Sequence, residues 1–290
     1  MKNALFTGAC TALVTPFHDG KLNIPMLEKL LARQLESGIR AIVICGTTGE
    51  ASTLSDMEKI QLFSKAKTFV GDSAKILAGT GSNDTVHSIT MSKAAEDVGA
   101  DGVLIVSPYY NKATTDGLFT HYSAIAAAVH IPVVVYNVPS RTGLDIPVSV
   151  YQALSKISNI AGIKEASGDI SKTAKTIAAC PKLPLWSGND NQIVPVMALG
   201  GMGVISVLSN VLPVQTQAMA LAALDGDFDT AAALQAELMP LIDALFCEVN
   251  PIPVKAAMEM LGYDCGPCRL PLTSLSEKKR EVLKNLLSAL

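Results

Sequence analysis

Lys164 closes the apolar run Ile160-Ala161-Gly162-Ile163-Lys164, and the chain turns just beyond it at Ser167-Gly168. An ammonium at the inner end of a buried strand loses water and favours the neutral amine, the nucleophile that forms Schiff bases with ketones. One strand earlier, the run 133–136 ends in Tyr136 and continues through Asn137-Val138-Pro139-Ser140 to Arg141. A phenol and a guanidinium therefore arise at what should be the same end of the sheet. A carbonyl-condensing lysine needs an acid/base near the carbinolamine, and Tyr136 can serve if its proton is relayed. It needs donors for the carboxylate of a keto acid, and the hydroxyls and N–H groups of Thr47-Thr48, flanked by Gly46 and Gly49, suit that task. It also needs a cation for a second carboxylate, and Arg141 offers a fork of donors. Each residue has a plainer reading. A lysine ending a strand usually meets solvent or a carboxylate, and Glu165 is adjacent; Gly-Thr-Thr-Gly is often only a tight turn. Tyr136 could be core, Arg141 could pair with Asp145, and Tyr109-Tyr110 could be packing or an interface patch. Their joint placement at one rim favours the chemical reading.

That placement follows from the elements. Continuous apolar runs at 9–15, 41–45, 75–78, 102–107, 132–137, 160–164, 185–187 and 204–208 read as strands buried on both faces. Between them, segments 25–37, 56–70, 84–98, 116–129, 147–155, 170–179 and 192–199 carry apolar residues at helical spacing. Ser55 and Asn83 are placed as N-caps. Strands alternating with helices in this way predict an α/β fold, a (β/α)8 TIM barrel, whose eighth helix is short or starts near Pro213. Past that point the chain becomes Ala- and Leu-rich at 214–224, 228–247 and 253–261, and 276–290 reads as a last helix. The expected organisation is a barrel over 1–212 and a C-terminal α-helical extension over 213–290 packed on it. In such a barrel the functional groups come from the C-terminal ends of the strands and the loops after them.

Hydrophobic residues make up 49% and charged residues 17% of the 290, which supports a large core and argues against disorder. The net charge of -3, with no basic run, disfavours nucleic acid and anionic membranes as partners. The N-terminal residues lack the apolar core of a signal peptide, and no apolar run is long enough to span a bilayer, so a cytoplasmic location is expected. Cys10, Cys45, Cys180, Cys247, Cys265 and Cys268 are expected to be reduced. Cys265-Gly266-Pro267-Cys268 spells a dithiol motif but falls in a loop after a helix, so it is read as structural. Gly79-Thr80-Gly81 and Gly200-Gly201-Met202-Gly203 lack the context of a nucleotide loop. His18, His87, His121 and His130 show no metal-ligand spacing, and no metal is expected.

The motifs Gly46-Thr47-Thr48-Gly49-Glu50, Pro108-Tyr109-Tyr110-Asn111, Gly162-Ile163-Lys164-Glu165, Ser187-Gly188-Asn189-Asp190 and Asn250-Pro251-Ile252-Pro253-Val254-Lys255, with the segment 136–143, occur in order along the chain. Together they resemble the dihydrodipicolinate synthase family of pyruvate-dependent class I aldolases, a superfamily that includes N-acetylneuraminate lyase. The resemblance covers nearly the whole chain. It implies a lyase of lysine and diaminopimelate biosynthesis that needs no cofactor beyond a covalent lysine–pyruvate imine. Lys164 would form that imine, and its enamine would attack aspartate semialdehyde. Tyr136, Thr47 and Tyr110 would form a proton relay, with Tyr110 reaching into a neighbouring subunit. That implies a homo-oligomer, a tight dimer and often a dimer of dimers. Thr48 would hold the carboxylate of pyruvate, Gly188 and Ile205 would line the pocket, and Arg141 would bind the semialdehyde. Arg141 also separates this reading from sialic acid and sugar-acid lyases, the first alternative; a silent keto-acid-binding barrel is the second. Lysine-inhibited members use positions that appear here as Ala51, Ser52, Asp56, Lys59, Asn83, His87 and Tyr109. Where those members carry a glutamate this chain has His87, and Lys59 adds a like charge, so weak or absent lysine inhibition is expected.

Overall fold

The computed structural model describes residues 4–289; Met1–Asn3 and Leu290, at the ends of the first and last segments considered above, lie outside the described residues. Eight parallel strands close into a barrel, each paired with its sequence neighbours: β1 Gly8–Ala12, β2 Ala41–Ile44, β3 Lys75–Gly79, β4 Gly102–Val106, β5 Val133–Asn137, β6 Ile160–Glu165, β7 Leu185–Ser187 and β8 Gly203–Ser206. Helices α1 Ile24–Glu36, α2 Asp56–Val70, α3 Thr85–Asp97, α4 Thr115–Ala128, α5 Val148–Leu154, α6 Ile170–Ala179 and α7 Ile193–Ala198 alternate with them. All eight expected strands and their helices are present, with ends shifted by a few residues.

Two shifts have clear causes. The first run does not extend to Thr15 as strand. After Pro16 the chain folds back in a small hairpin, Phe17–His18 against Lys21–Leu22, turned by Asp19 and Gly20 at φ 49° and 74°. Asp-Gly is the pair that tolerates such a turn, and the two-residue strands are too short for periodicity to reveal. The second concerns the N-cap of α3. Asp84, not Asn83, caps this helix, its carboxylate accepting from the Val86 N–H at 2.9 Å. The carbonyl of Asn83 instead accepts from Asn111. Ser55 does cap α2, in a reciprocal box with Glu58.

Helix α8, Pro213–Leu224, packs on β1 and β8 and completes the ring. We propose that the barrel unit therefore runs to Leu224, beyond the division expected after residue 212. Helices α9 Phe228–Leu245, α10 Ile252–Met260 and α11 Glu277–Ser288 form the extension.

The apolar surface divides into two cores. The larger lies between strands and helices; the smaller fills the barrel with Cys10, Ala12, Val43, Leu77, Leu104, Val134, Trp186 and Ile205. Phe6 stacks on Trp186 with ring centroids 4.5 Å apart and closes one end. On β6 the inward position below Lys164 is Gly162, where a Cβ would come within 2.3 Å of the Trp186 ring. The indole thus occupies the room that Gly162 leaves, and the barrel is packed solid beneath the rim where Lys164 stands.

Candidate active site

Side chains alternate across a strand, so the residues that share a face of β5 and β6 are set by register. Tyr136 pairs with Lys164, and Lys164 in turn with Trp186 on β7. Both Tyr136 and Lys164 project to the barrel interior. Lys164 is 6% exposed, and its Nζ lies 4.4 Å from the centroid of the Tyr136 ring. The π-face attracts the ammonium form of the amine. At Gly188 a Cβ would come within 3.1 Å of the Lys164 Cε and 2.7 Å of the Ala166 Cβ, so this position gives the amine its space. The Gly188 N–H itself donates to the Glu165 carbonyl at 2.7 Å. Ile205, on β8, is buried in the same inner core as Tyr136.

The loop after β2 turns tightly: Gly49 N–H donates to the Gly46 carbonyl and Glu50 N–H to that of Thr47, with Cys45 and Glu50 at φ 56° and 57°. Thr48 is buried, and its Oγ1 accepts from Asn250 Nδ2 at 3.0 Å. Thr47 is half-buried and lines, with Tyr136 and Arg141, a cavity of about 540 Å³. Arg141 sits on a short helical turn, Pro139–Thr142, and its Nη2 donates to the Asn250 carbonyl at 3.2 Å. The pairing of Arg141 with Asp145 that the sequence left open is not formed. Asp145 instead contacts Lys172 and accepts from Asn137.

The same cavity continues past Ala51, Ser52, Asp56, Lys59, His87 and Tyr109, so most of the positions considered for an effector open onto it; Asn83 does not line it. In it the Asp56 carboxylate lies 3.0 Å from His87 Nε2 and 3.9 Å from Lys59 Nζ. Tyr110 does not line the cavity of its own chain. It is 92% exposed, at φ 69°.

Several residues shape the site through contacts that their place in the sequence motifs did not foretell. Asp190 is buried behind the loop after β7, its Oδ2 accepting from the Val207 and Leu208 N–H groups at 2.9 Å each. It thereby ends β8 two residues before the expected Leu208, and burial raises its pKa. Glu50 is 3% exposed and pairs at 2.8 Å with Lys255 of α10, itself 4% exposed. Glu50 also accepts from the Arg269 N–H, while the Arg269 guanidinium forks onto Glu58 at 2.9 and 2.6 Å. That hydrogen bond holds the Glu58 carboxyl down at about 2. The Phe17 ring of the hairpin faces both Lys255 and Arg269. Asn250, Lys255 and Arg269 lie 202 to 219 residues from their partners in the loop and α2, out of reach of local pattern. Cys265 and Cys268 lie in this strap, in a loop as expected, and burial pushes their thiols up to about 12 and about 11. A redox dithiol requires the opposite shift.

A buried amine over a phenol, with hydroxyl and guanidinium groups around one rim of a closed parallel barrel, defines the class: a (β/α)8 barrel protein with its polar groups gathered at the C-terminal ends of its strands. Comparison with known proteins places the chain within it. Residues 5–290 match the model of the dihydrodipicolinate synthetase family, and the chain belongs to that family. It is 49% identical over 284 residues to the 4-hydroxy-tetrahydrodipicolinate synthase of Caldicellulosiruptor saccharolyticus, covering 98% of this chain and 96% of that one. It is 47% identical over 288 residues to the enzyme of the same name from Acetivibrio thermocellus, covering 99% and 98%. The solved dihydrodipicolinate synthase of Thermotoga maritima superposes with a TM-score of 0.96 at 40% identity over 98% of each chain. Among the described residues no helix is long and apolar enough to cross a membrane.

Proposed function

We propose that this chain is a lyase that condenses pyruvate with L-aspartate 4-semialdehyde to give 4-hydroxy-tetrahydrodipicolinate, a step of lysine and diaminopimelate biosynthesis. The observation that carries the proposal is the buried Lys164 amine 4.4 Å over the Tyr136 ring, at the rim that also presents Thr47 and Arg141. Membership of the family supports the same reading.

In this reading the neutral amine of Lys164 adds to the pyruvate carbonyl, and loss of water gives the imine. A methyl proton then leaves, and the resulting enamine carbon bonds to the aldehyde carbon of the semialdehyde. The amino group of the semialdehyde attacks the imine carbon, closes the ring and frees Lys164. Tyr136 acts as acid and base, with Thr47 and the Tyr110 of a neighbouring copy passing its proton. Thr48 holds the carboxylate of pyruvate, against space kept by Gly188 and Ile205. Arg141 receives the carboxylate of the semialdehyde with its remaining donors. No external cofactor or metal enters this scheme. The exposure of Tyr110 supports a tight homodimer, and a dimer of dimers is the assembly we favour, working in the cytoplasm. In the cleft, Asp56 is already faced by His87 and Lys59, which supports weak or absent inhibition by lysine.

Borohydride trapping with pyruvate, followed by peptide mapping, tests the proposal. The expected result is a pyruvyl adduct on Lys164 that falls when semialdehyde turns over. An adduct indifferent to semialdehyde would point to a sugar-acid or N-acetylneuraminate lyase, and no adduct would leave a keto-acid-binding barrel.

A further inference from the structure

Behind the amine and phenol lies a second pair, on the opposite faces of the same two strands. The residues following Tyr136 and Lys164 are Asn137 and Glu165, which are also in register. Asn137 is fully buried and Glu165 is 3% exposed, and Asn137 Nδ2 donates to Glu165 Oε1 at 2.9 Å. Every other polar atom of the pair is engaged. Asn137 also donates to Asp145 at 2.8 Å and accepts from the Ile146 N–H at 3.1 Å. Glu165 accepts from the Ser167 N–H at 2.8 Å and from the Tyr151 hydroxyl of α5 at 3.4 Å. Lys172 closes the group against Asp145.

The ladder of β5 and β6 explains why a clamp is needed here. Val133 pairs with Ile160 but Val134 pairs with Gly162, so Ala161 is an extra residue and the register shifts by one. Were that irregularity absorbed further up, Tyr136 would face Ile163, and Lys164 would no longer stand across from the phenol. We infer that Asn137 and Glu165 are positioning residues which hold the shifted register at the rim and so set the Lys164 amine against Tyr136. The inference rests on the roles proposed above for Lys164 and Tyr136. Neither clamp residue touches substrate; both act through the strands that carry the reacting groups.

The test compares Glu165→Ala with Glu165→Gln, reading kcat, KM and the rate of borohydride trapping on Lys164 at temperatures where each variant is folded by circular dichroism. Glu165→Ala should lower kcat and the trapping rate by about 10- to 100-fold, the cost of a misplaced reacting group, with KM values little changed. Glu165→Gln keeps an oxygen for Asn137 and Ser167 and should restore most of both rates. Wild-type rates in folded Glu165→Ala, or a glutamine variant as impaired as the alanine one, would overturn the clamp. Should Glu165→Ala not fold, Tyr151→Phe frees one oxygen of Glu165 and should slow trapping about threefold, within the range of one hydrogen bond; no change there would also overturn it. Failure of the unaltered protein to trap pyruvate on Lys164 would instead remove the underlying reading, so the two failures are distinguishable.

Discussion

Two sides of one rim are built by different physics. The Tyr136–Lys164 side comes from adjacent strands, and its geometry is a matter of register between residues 28 apart in sequence. The Cys45–Glu50 side is a loop whose two end residues are at positive φ, held by Asn250, Lys255 and Arg269 from the far end of the chain. The first side is stiff because the barrel is closed and packed below it. The second is stiff because a buried ion pair and a strap of backbone hold it down. A strand pair depends on what fixes its register, whereas a loop pinned by a buried charge pair depends on each partner, since removing one leaves an uncompensated charge.

Substitution of the amine should give the largest effect. Lys164→Ala or Lys164→Met should cut turnover by at least ~10³-fold and leave no borohydride adduct, as expected when a covalent nucleophile is removed. On the other side, Lys255→Met should destabilise the fold by about 3–5 kcal/mol in denaturant unfolding, because Glu50 is left buried and unpaired. The double change Glu50→Leu with Lys255→Met should recover much of that loss. If the single and double variants unfold alike, the pair is not what holds the loop.

Arg141→Ala should weaken semialdehyde binding by about 2–4 kcal/mol, read as a raised KM, while trapping of pyruvate continues. Equal loss of both would show that Arg141 supports the rim rather than one substrate. Asn250→Ala removes the bond to Thr48 but keeps the carbonyl that meets Arg141. It should raise the KM for pyruvate by the equivalent of about 0.5–1.5 kcal/mol and spare that for semialdehyde.

The smallest effect concerns acid. Glu58 has its carboxyl depressed from 4.5 to about 2, chiefly by the hydrogen bond from Arg269. A carboxyl lowered in the fold contributes stability that is complete above pH 4.5 and lost as pH falls from there towards 2. Glu58→Gln should therefore lower stability near neutrality, flatten the profile within that window and converge on the unaltered protein at its acid end. A parallel shift at all pH values would assign the effect to packing instead.

The two sides also differ in how far they could be read in advance. Lys164, Tyr136 and Arg141 announced themselves because each ends or succeeds an apolar run, and strand ends in a parallel barrel are where polar groups are wanted. The Thr47-Thr48 turn was legible for the same reason. The hairpin at Phe17–His18 was not, being too short for its alternation to register. The cap at Asp84 was missed by one residue because Asn83 and Asp84 are both good caps, and a contact with Asn111 decided between them. The eighth helix resembled the helices after it in composition, and only its packing on β1 and β8 assigns it to the ring.

Periodicity and residue type thus determined, from the chain alone, that strands alternate with helices, that the strands are buried on both faces, and which polar groups stand at their ends. Those are local properties, set by how often apolar side chains recur and by the residue types at which each run stops. Tertiary structure alone decided that Tyr136 faces Lys164 rather than Ile163, because register past Ala161 depends on pairing between strands. It alone joined Glu50 to Lys255 and Thr48 to Asn250, because contacts across 200 residues arise only when the barrel has closed and brought the extension against its rim.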